Sequence, residues 1–160
     1  MRIVVITTGG TIDKVYFDAK GGYEVGAPIV RQILSNARAL IDIDVVEILR
    51  KDSLEMTAED RGMIRDAAAK CDANHVIVTH GTDTMVETAA ELRSIEGKTI
   101  VLTGALQPAR FNDSDAPFNL GMALAAVQTQ PPGVYIAANG QIFDAANVRK
   151  NRGQNRFEAV

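Results

Sequence analysis

Val76-Ile77-Val78-Thr79-His80-Gly81-Thr82-Asp83-Thr84 is the stretch from which the fold of this chain is read. It begins as an apolar, β-branched run, the pattern of a parallel strand covered on both faces. It breaks at Gly81 and passes into Met85-Val86-Glu87-Thr88-Ala89-Ala90-Glu91-Leu92, which has helical spacing. Thr84 with Glu87 three residues on spells a capping box, so a helix is expected to start there. Thr82 and Asp83, a hydroxyl and a carboxylate, then stand at the carboxyl end of a central strand. Open α/β sheets build their ligand sites at such ends.

Strand, polar turn and helix recur on either side of this unit. Arg2 to Ile6 reads as the first strand, followed by Thr7-Thr8-Gly9-Gly10-Thr11-Ile12-Asp13. Paired glycines there permit a close backbone approach and can turn N–H groups and the Thr11 hydroxyl toward one ligand; they suit a plain βα turn equally well. The pattern is neither G-x-G-x-x-G nor a P-loop. Residues 13–26 show no sustained periodicity and carry Gly21, Gly22 and Gly26, which predicts a long loop of the kind that serves as a lid. Tyr16 and Tyr23 are its phenols, and loop tyrosines more often anchor packing than catalyse. A helix is expected over 28–40, and Ile43 to Leu49 reads as the second strand. Thr57 caps a helix from Ala58 to about Cys71, where Cys71 reads as a small core residue without an evident cationic partner.

Further strands are expected at 75–79, 99–103 and 133–138. Asn139-Gly140 predicts a two-residue hairpin returning through Gln141-Ile142-Phe143. His75 and His80 fall on opposite faces of their strand, which argues against shared metal ligation and leaves His80 to order the loop. Asp113 and Asp115, before Pro117, suit helix capping better than cation binding, and no metal site is expected. Arg149, Lys150, Arg152 and Arg156 place four cations within eight residues of the tail. Such a run is usually a solvated face; here it could also lend one positive group to a site.

The alternation specifies an α/β fold, an open and mainly parallel sheet with helices on both faces. At 160 residues the chain supports one domain, 1–160. The net charge of −3 argues against nucleic-acid binding. The single cysteine suits a reducing cytoplasm. Ile3 to Ile6 is too short for a signal peptide's apolar segment, and no run reaches membrane-spanning length.

The residues with chemistry to offer are Thr11 and Thr82 on strand-end loops, Asp83, the phenol of Tyr23 and Lys150. A threonine hydroxyl needs something to remove its proton before it attacks. The two histidines beside one strand assemble no Ser-His-Asp pattern. A lysine kept partly neutral by burial and positioned by Asp83 could act as base, with N–H groups of the glycine turns holding an oxyanion. Spacing alone does not single out that lysine.

Thr8-Gly9-Gly10-Thr11-Ile12 and His80-Gly81-Thr82-Asp83-Thr84 resemble the two signature motifs of the bacterial-type L-asparaginase family. The similarity continues in family order through Tyr23-Glu24-Val25-Gly26, Asp52-Ser53-Leu54-Glu55-Met56-Thr57, Leu102-Thr103-Gly104-Ala105, Ser114 to Leu120 and Val148-Arg149-Lys150. The resemblance is to the N-terminal catalytic domain, a Rossmann/flavodoxin-like three-layer sandwich, and the expectation is a short form without the family's C-terminal domain. It implies Thr11 as the nucleophile, Tyr23 as its assistant on a closing lid, and a Thr82-Asp83-Lys150 relay. Gly10, Asp52, Ser53, Gly81, Thr82 and Asp83 are implied to hold substrate. The implied reaction is hydrolysis of L-asparagine to L-aspartate and ammonia through a threonine acyl-enzyme, without metal or cofactor, and with L-glutamine a poorer substrate.

Leu54 stands where many relatives have a polar side chain, so weaker substrate binding than in two-domain relatives is expected. The family also implies asparagine catabolism by a homodimer or higher homo-oligomer, and the composition a cytoplasmic setting. Two other readings stay open: a non-catalytic amino-acid sensor and an ammonia-releasing amidotransferase subunit.

Overall fold

The computed structural model describes residues 1–160. Six strands form the main sheet: β1 (Arg2–Gly9), β4 (Asp42–Lys51), β5 (His75–Thr79), β6 (Thr99–Thr103), β7 (Gly133–Ala138) and β8 (Gln141–Asp144). Their order is β4-β1-β5-β6-β7-β8. The first five run parallel, and β8 returns antiparallel to β7 through Asn139-Gly140, both at positive φ, as the hairpin signal requires. From β1 the chain moves outward to β4 and then crosses back to β5 on β1's other side. The carboxyl ends of β1 and β5 therefore flank the point where the winding reverses, which is where sheets of this flavodoxin-like order open a crevice.

Alternation along the strands divides the core into two. Val4, Ile6, Val76 and Val78 face α2 (Ala58–Lys70) and α3 (Met85–Leu92). Ile3, Val5 and Ile77 face α1 (Val30–Asn36) and α4 (Ala116–Thr129). Sheet, helices above and helices below make the expected three-layer α/β sandwich. The tail is an antiparallel pair, β9 (Val148–Asn151) and β10 (Arg156–Ala159). Val148 and Phe157 bury themselves in the α2/α3 core, and the Phe157 N–H donates to Asn139 Oδ1 at 2.8 Å. Burying a side chain the size of Phe157 stabilises by about 1.5–3 kcal/mol, enough to fasten the pair to the sheet.

Several expectations change. The stretch 13–26 is no irregular loop but an antiparallel hairpin, β2 (Lys14–Phe17) with β3 (Gly22–Val25). The helix expected over 28–40 is only α1, because Ala37 caps it and Arg38 turns left-handed at φ 51. No capping box forms at Thr84. Its hydroxyl donates to the Ser53 carbonyl at 2.8 Å and its N–H to Ser53 Oγ at 3.3 Å, so a 3-10 turn, Thr82–Thr84, precedes α3 instead. Thr57 does cap α2, in a reciprocal box with Asp60. Asp115 pins the 104–115 loop by accepting from the Leu106 and Gln107 N–H groups and from Asn119 Nδ2, rather than capping α4. Cys71 has a cationic neighbour after all. Buried Lys98 donates to the Cys71 carbonyl at 2.6 Å and the Ala68 carbonyl at 3.0 Å, capping the end of α2, with Sγ 3.4 Å away.

Candidate active site

The site is built where turns from β1, β4 and β5 lock together through glycine. Gly10 has φ 87 and ψ −176, a conformation open essentially to glycine alone. A Cβ there would lie 2.4 Å from the Gly81 nitrogen and 2.6 Å from its Cα. The turns after β1 and β5 thus touch backbone to backbone, and Thr11 and Thr82 each follow that contact by one residue. Gly81 rests in turn on Ser53, since a Cβ on it would sit 2.6 Å from Ser53 Oγ. The Gly10 N–H donates to the Lys51 carbonyl at 2.9 Å, which ties in the end of β4 and occupies that donor.

Lys150 completes the cluster from the far end of the chain. β9 carries its ammonium to 2.6 Å from Thr82 Oγ1 and 2.8 Å from Asp83 Oδ1, with the lysine side chain only 8% exposed. An ammonium only donates, so the Thr82 oxygen accepts here and its own hydrogen is left to point elsewhere. Asp83 is 37% exposed. Arg152 Nη2 donates to its carbonyl at 3.2 Å, which holds the turn from outside. A recess of about 480 Å³ opens beside this group, lined by Asp83, Val86, Glu87, Arg149, Lys150 and Arg152 among others. A larger hollow of about 580 Å³ lies elsewhere, between α1 and α4.

The other residues expected at the site take distinct positions. Ser53 is buried beneath Gly81, and its oxygen accepts from Thr84. Asp52 Oδ1 accepts from the Leu54 N–H at 3.1 Å and Oδ2 pairs with Lys14 at 3.1 Å. Burial pushes its carboxyl up, but the Leu54 N–H, Lys14 and the nearby charge of Lys150 together hold it below the usual range. The Thr11 side chain is half-buried. Tyr23 is 52% exposed on the hairpin, its ring edge-on to Tyr16 and Phe111 at 5.6 and 5.8 Å. It is not among the side chains gathered around Lys150.

His80 is fully buried and orders the β5 turn. The Gly81 carbonyl, 2.7 Å from Nδ1, can only accept, so the proton sits on Nδ1 and Nε2 accepts from the Thr88 hydroxyl at 2.7 Å. Burial brings its pKa down to about 4, which keeps the ring neutral. Both nitrogens are occupied within the scaffold, so His80 serves neither threonine as a base.

Asp13, two residues beyond Thr11, was not expected among the functional residues. Its side chain accepts from the Ile29 N–H at 2.9 Å through Oδ1, while buried Oδ2 has no partner. Burial raises its pKa to about 6. No three His, Cys, Asp or Glu side chains converge in a way that could hold a metal ion, and no helix is long and apolar enough to cross a membrane.

A family model described as "Asparaginase, N-terminal" matches residues 2–159, nearly the whole chain. The chain belongs to the asparaginase family. It is 30% identical to the L-asparaginase of Thermococcus kodakarensis, over 100% of this chain and 51% of that protein. The solved structure of that thermostable enzyme superposes with a TM-score of 0.87. The glutaminase-asparaginase of Acinetobacter glutaminasificans is 31% identical over 93% of this chain and 49% of its own length. The structure of a probable cytoplasmic L-asparaginase from Campylobacter jejuni is 32% identical, covers 99% of this chain and 51% of that one, and has a TM-score of 0.83. The chain thus spans about half the length of the asparaginases it matches.

Proposed function

We propose that this protein is an amidohydrolase that converts L-asparagine to L-aspartate and ammonia through an acyl-enzyme on Thr11. The observation that carries the reading is the Lys150 ammonium bridging Thr82 Oγ1 and Asp83 Oδ1 beside the glycine contact that brings the Thr11 turn to the Thr82 turn. A sensor would need neither the second hydroxyl nor a nearly buried lysine, and a buried charge is kept only where its partners are fixed.

In this reading the Thr11 oxygen attacks the side-chain amide carbon and forms a C–O bond. The C–N bond breaks, and the nitrogen leaves as ammonia with the threonine proton. Water then adds to the ester, regenerating Thr11 and releasing aspartate. Thr82 is the second hydroxyl of the relay. Lys150 stabilises negative charge on its oxygen and, on passing a proton to Asp83, can accept one from it. Asp83 and Ser53 hold the α-amino and α-carboxylate groups of the substrate, with Asp52, Gly10 and Gly81 shaping that pocket. Tyr23 closes over Thr11 with its hairpin. Glutamine, one methylene longer, is the poorer substrate. The setting is cytoplasmic and the working form a homo-oligomer, which sedimentation of the purified chain would check.

The deciding experiment is ammonia release from L-asparagine and L-glutamine by the wild type beside Thr11→Ala. Release from asparagine that disappears in the variant supports both the reaction and the nucleophile. Release that persists moves the nucleophile to Thr82. Calorimetric binding of asparagine without release at saturation makes the chain a sensor.

A further inference from the structure

One residue stitches together the base of the hairpin that carries Tyr23. The Asp13 N–H donates to the Gly10 carbonyl at 3.2 Å, and its own carbonyl accepts from the Gly26 N–H at 2.8 Å. Its Oδ1 accepts from Ile29, the residue just before α1, at 2.9 Å. The glycine before Thr11, the glycine that closes the hairpin and the start of α1 are therefore all bonded to Asp13.

The price of the arrangement is visible in the side chain. Asp13 is 1% exposed, and its Oδ2 is buried with no partner. A carboxylate left with an unmet oxygen in the interior is unfavourable, and an amide could accept from Ile29 without the charge. Arg110 of the 104–115 loop and Arg50 of β4 attract it and Glu47 of β4 repels it, yet none bonds to it. Stability therefore gives no reason for an acid at this position.

We propose, resting on the asparaginase reading above, that Asp13 is a positioning residue for Thr11: its carboxylate latches the Tyr23 hairpin to the start of α1 and so fixes the loop that presents Thr11. It touches neither substrate nor the reacting atoms and acts through the backbone. Ionised, it holds the Ile29 N–H by a charge-assisted bond. Protonation, which burial favours, relieves the charge and leaves Oδ1 to accept from Ile29, so the latch stays closed. Burial places the change near pH 6, whereas an exposed aspartate would titrate near 3.8.

The test measures hydrogen exchange of the Gly26 and Ile29 amides, with kcat and KM for asparagine, in the wild-type chain, in Asp13→Ala and in Asp13→Asn, which keeps an acceptor for Ile29. The latch predicts that both amides exchange faster in Asp13→Ala, and that its kcat falls tenfold or more while KM changes less. In Asp13→Asn the exchange and kcat return to within a few-fold of the wild type, the fold of both variants being checked by circular dichroism. Amides whose exchange is unchanged in Asp13→Ala overturn the proposal. So does an Asp13→Ala enzyme that keeps the wild-type kcat, or one that does not fold, which would make the bond a support of the whole fold. Amides that respond to Asp13→Ala in a protein releasing no ammonia support the latch and overturn the asparaginase reading instead.

Discussion

Lys150 is the nearly buried charge of the proposed site, and its contacts show what holds it there. An ammonium 8% exposed is costly to bury, and it is balanced here by one carboxylate oxygen and one hydroxyl at 2.8 and 2.6 Å. Lys150→Met keeps the length of the stem and removes the donor. In the proposed reaction this lowers kcat by about 10²–10⁴, the usual worth of positioned proton transfer. KM changes less than kcat, because Lys150 reaches the substrate grip only through Asp83; steady-state kinetics on asparagine would show the split. Thr82 and Asp83 were legible in the sequence because they directly follow a buried strand. Lys150 was not, since 68 residues separate it from Thr82 and no local pattern marks it; only the family resemblance pointed to it. Asp13 escaped notice for a related reason. Its burial depends on a bond to Ile29, 16 residues on, and the isolated motif reads as an ordinary polar turn.

Glycine contacts, more than side-chain bonds, set how close the strand ends come. Gly10 combines a glycine-only conformation with a space that Gly81 already fills. Gly81 has an ordinary φ of −64 and lacks only room, against Ser53. Gly10→Ala therefore incurs backbone strain and overpacking together, about 2–6 kcal/mol, whereas Gly81→Ala incurs overpacking alone, about 1–3 kcal/mol. Urea denaturation should rank them in that order, and equal losses would mean the backbone conformation matters little. The β1, β5, β6 and β7 strands and the Asn139-Gly140 turn were legible because apolar runs bounded by glycine leave few alternatives. The β2–β3 hairpin was not, because Tyr16, Phe17 and Tyr23 are exposed on it and no buried face imposes alternation. The Thr84 box failed because Ser53, 31 residues earlier, took both its hydroxyl and its N–H.

For the molecule as a whole, the two most perturbed groups oppose each other as pH falls. His80 is held neutral down to about pH 4, whereas the unfolded chain takes up that proton near 6.5. Its contribution to stability is thus present above 6.5 and is lost on acidification toward 4. Asp13 takes up a proton near 6 in the folded chain and near 3.8 in the unfolded one, so stability rises as pH falls through that interval. Each effect is of the order of 3 kcal/mol, and between pH 6 and 4 they largely cancel. Asp13→Asn removes one side of the balance. At pH 8 the variant should be more stable than the wild type by up to about 3 kcal/mol, less whatever its unpaired amide N–H costs in the interior. Between pH 6.5 and 4 it should lose about 3 kcal/mol to His80 while the wild type changes little. Chemical denaturation of both proteins at pH 8 and 4.5 would measure this directly. A variant sturdier at pH 8 would show that the buried charge costs the fold more than its bond to Ile29 returns, as expected of an oxygen left unmet in the interior. A variant less stable at pH 8 would show the charge-assisted bond outweighing that cost, and the raised protonation of Asp13 would then not govern the acid side of the stability curve.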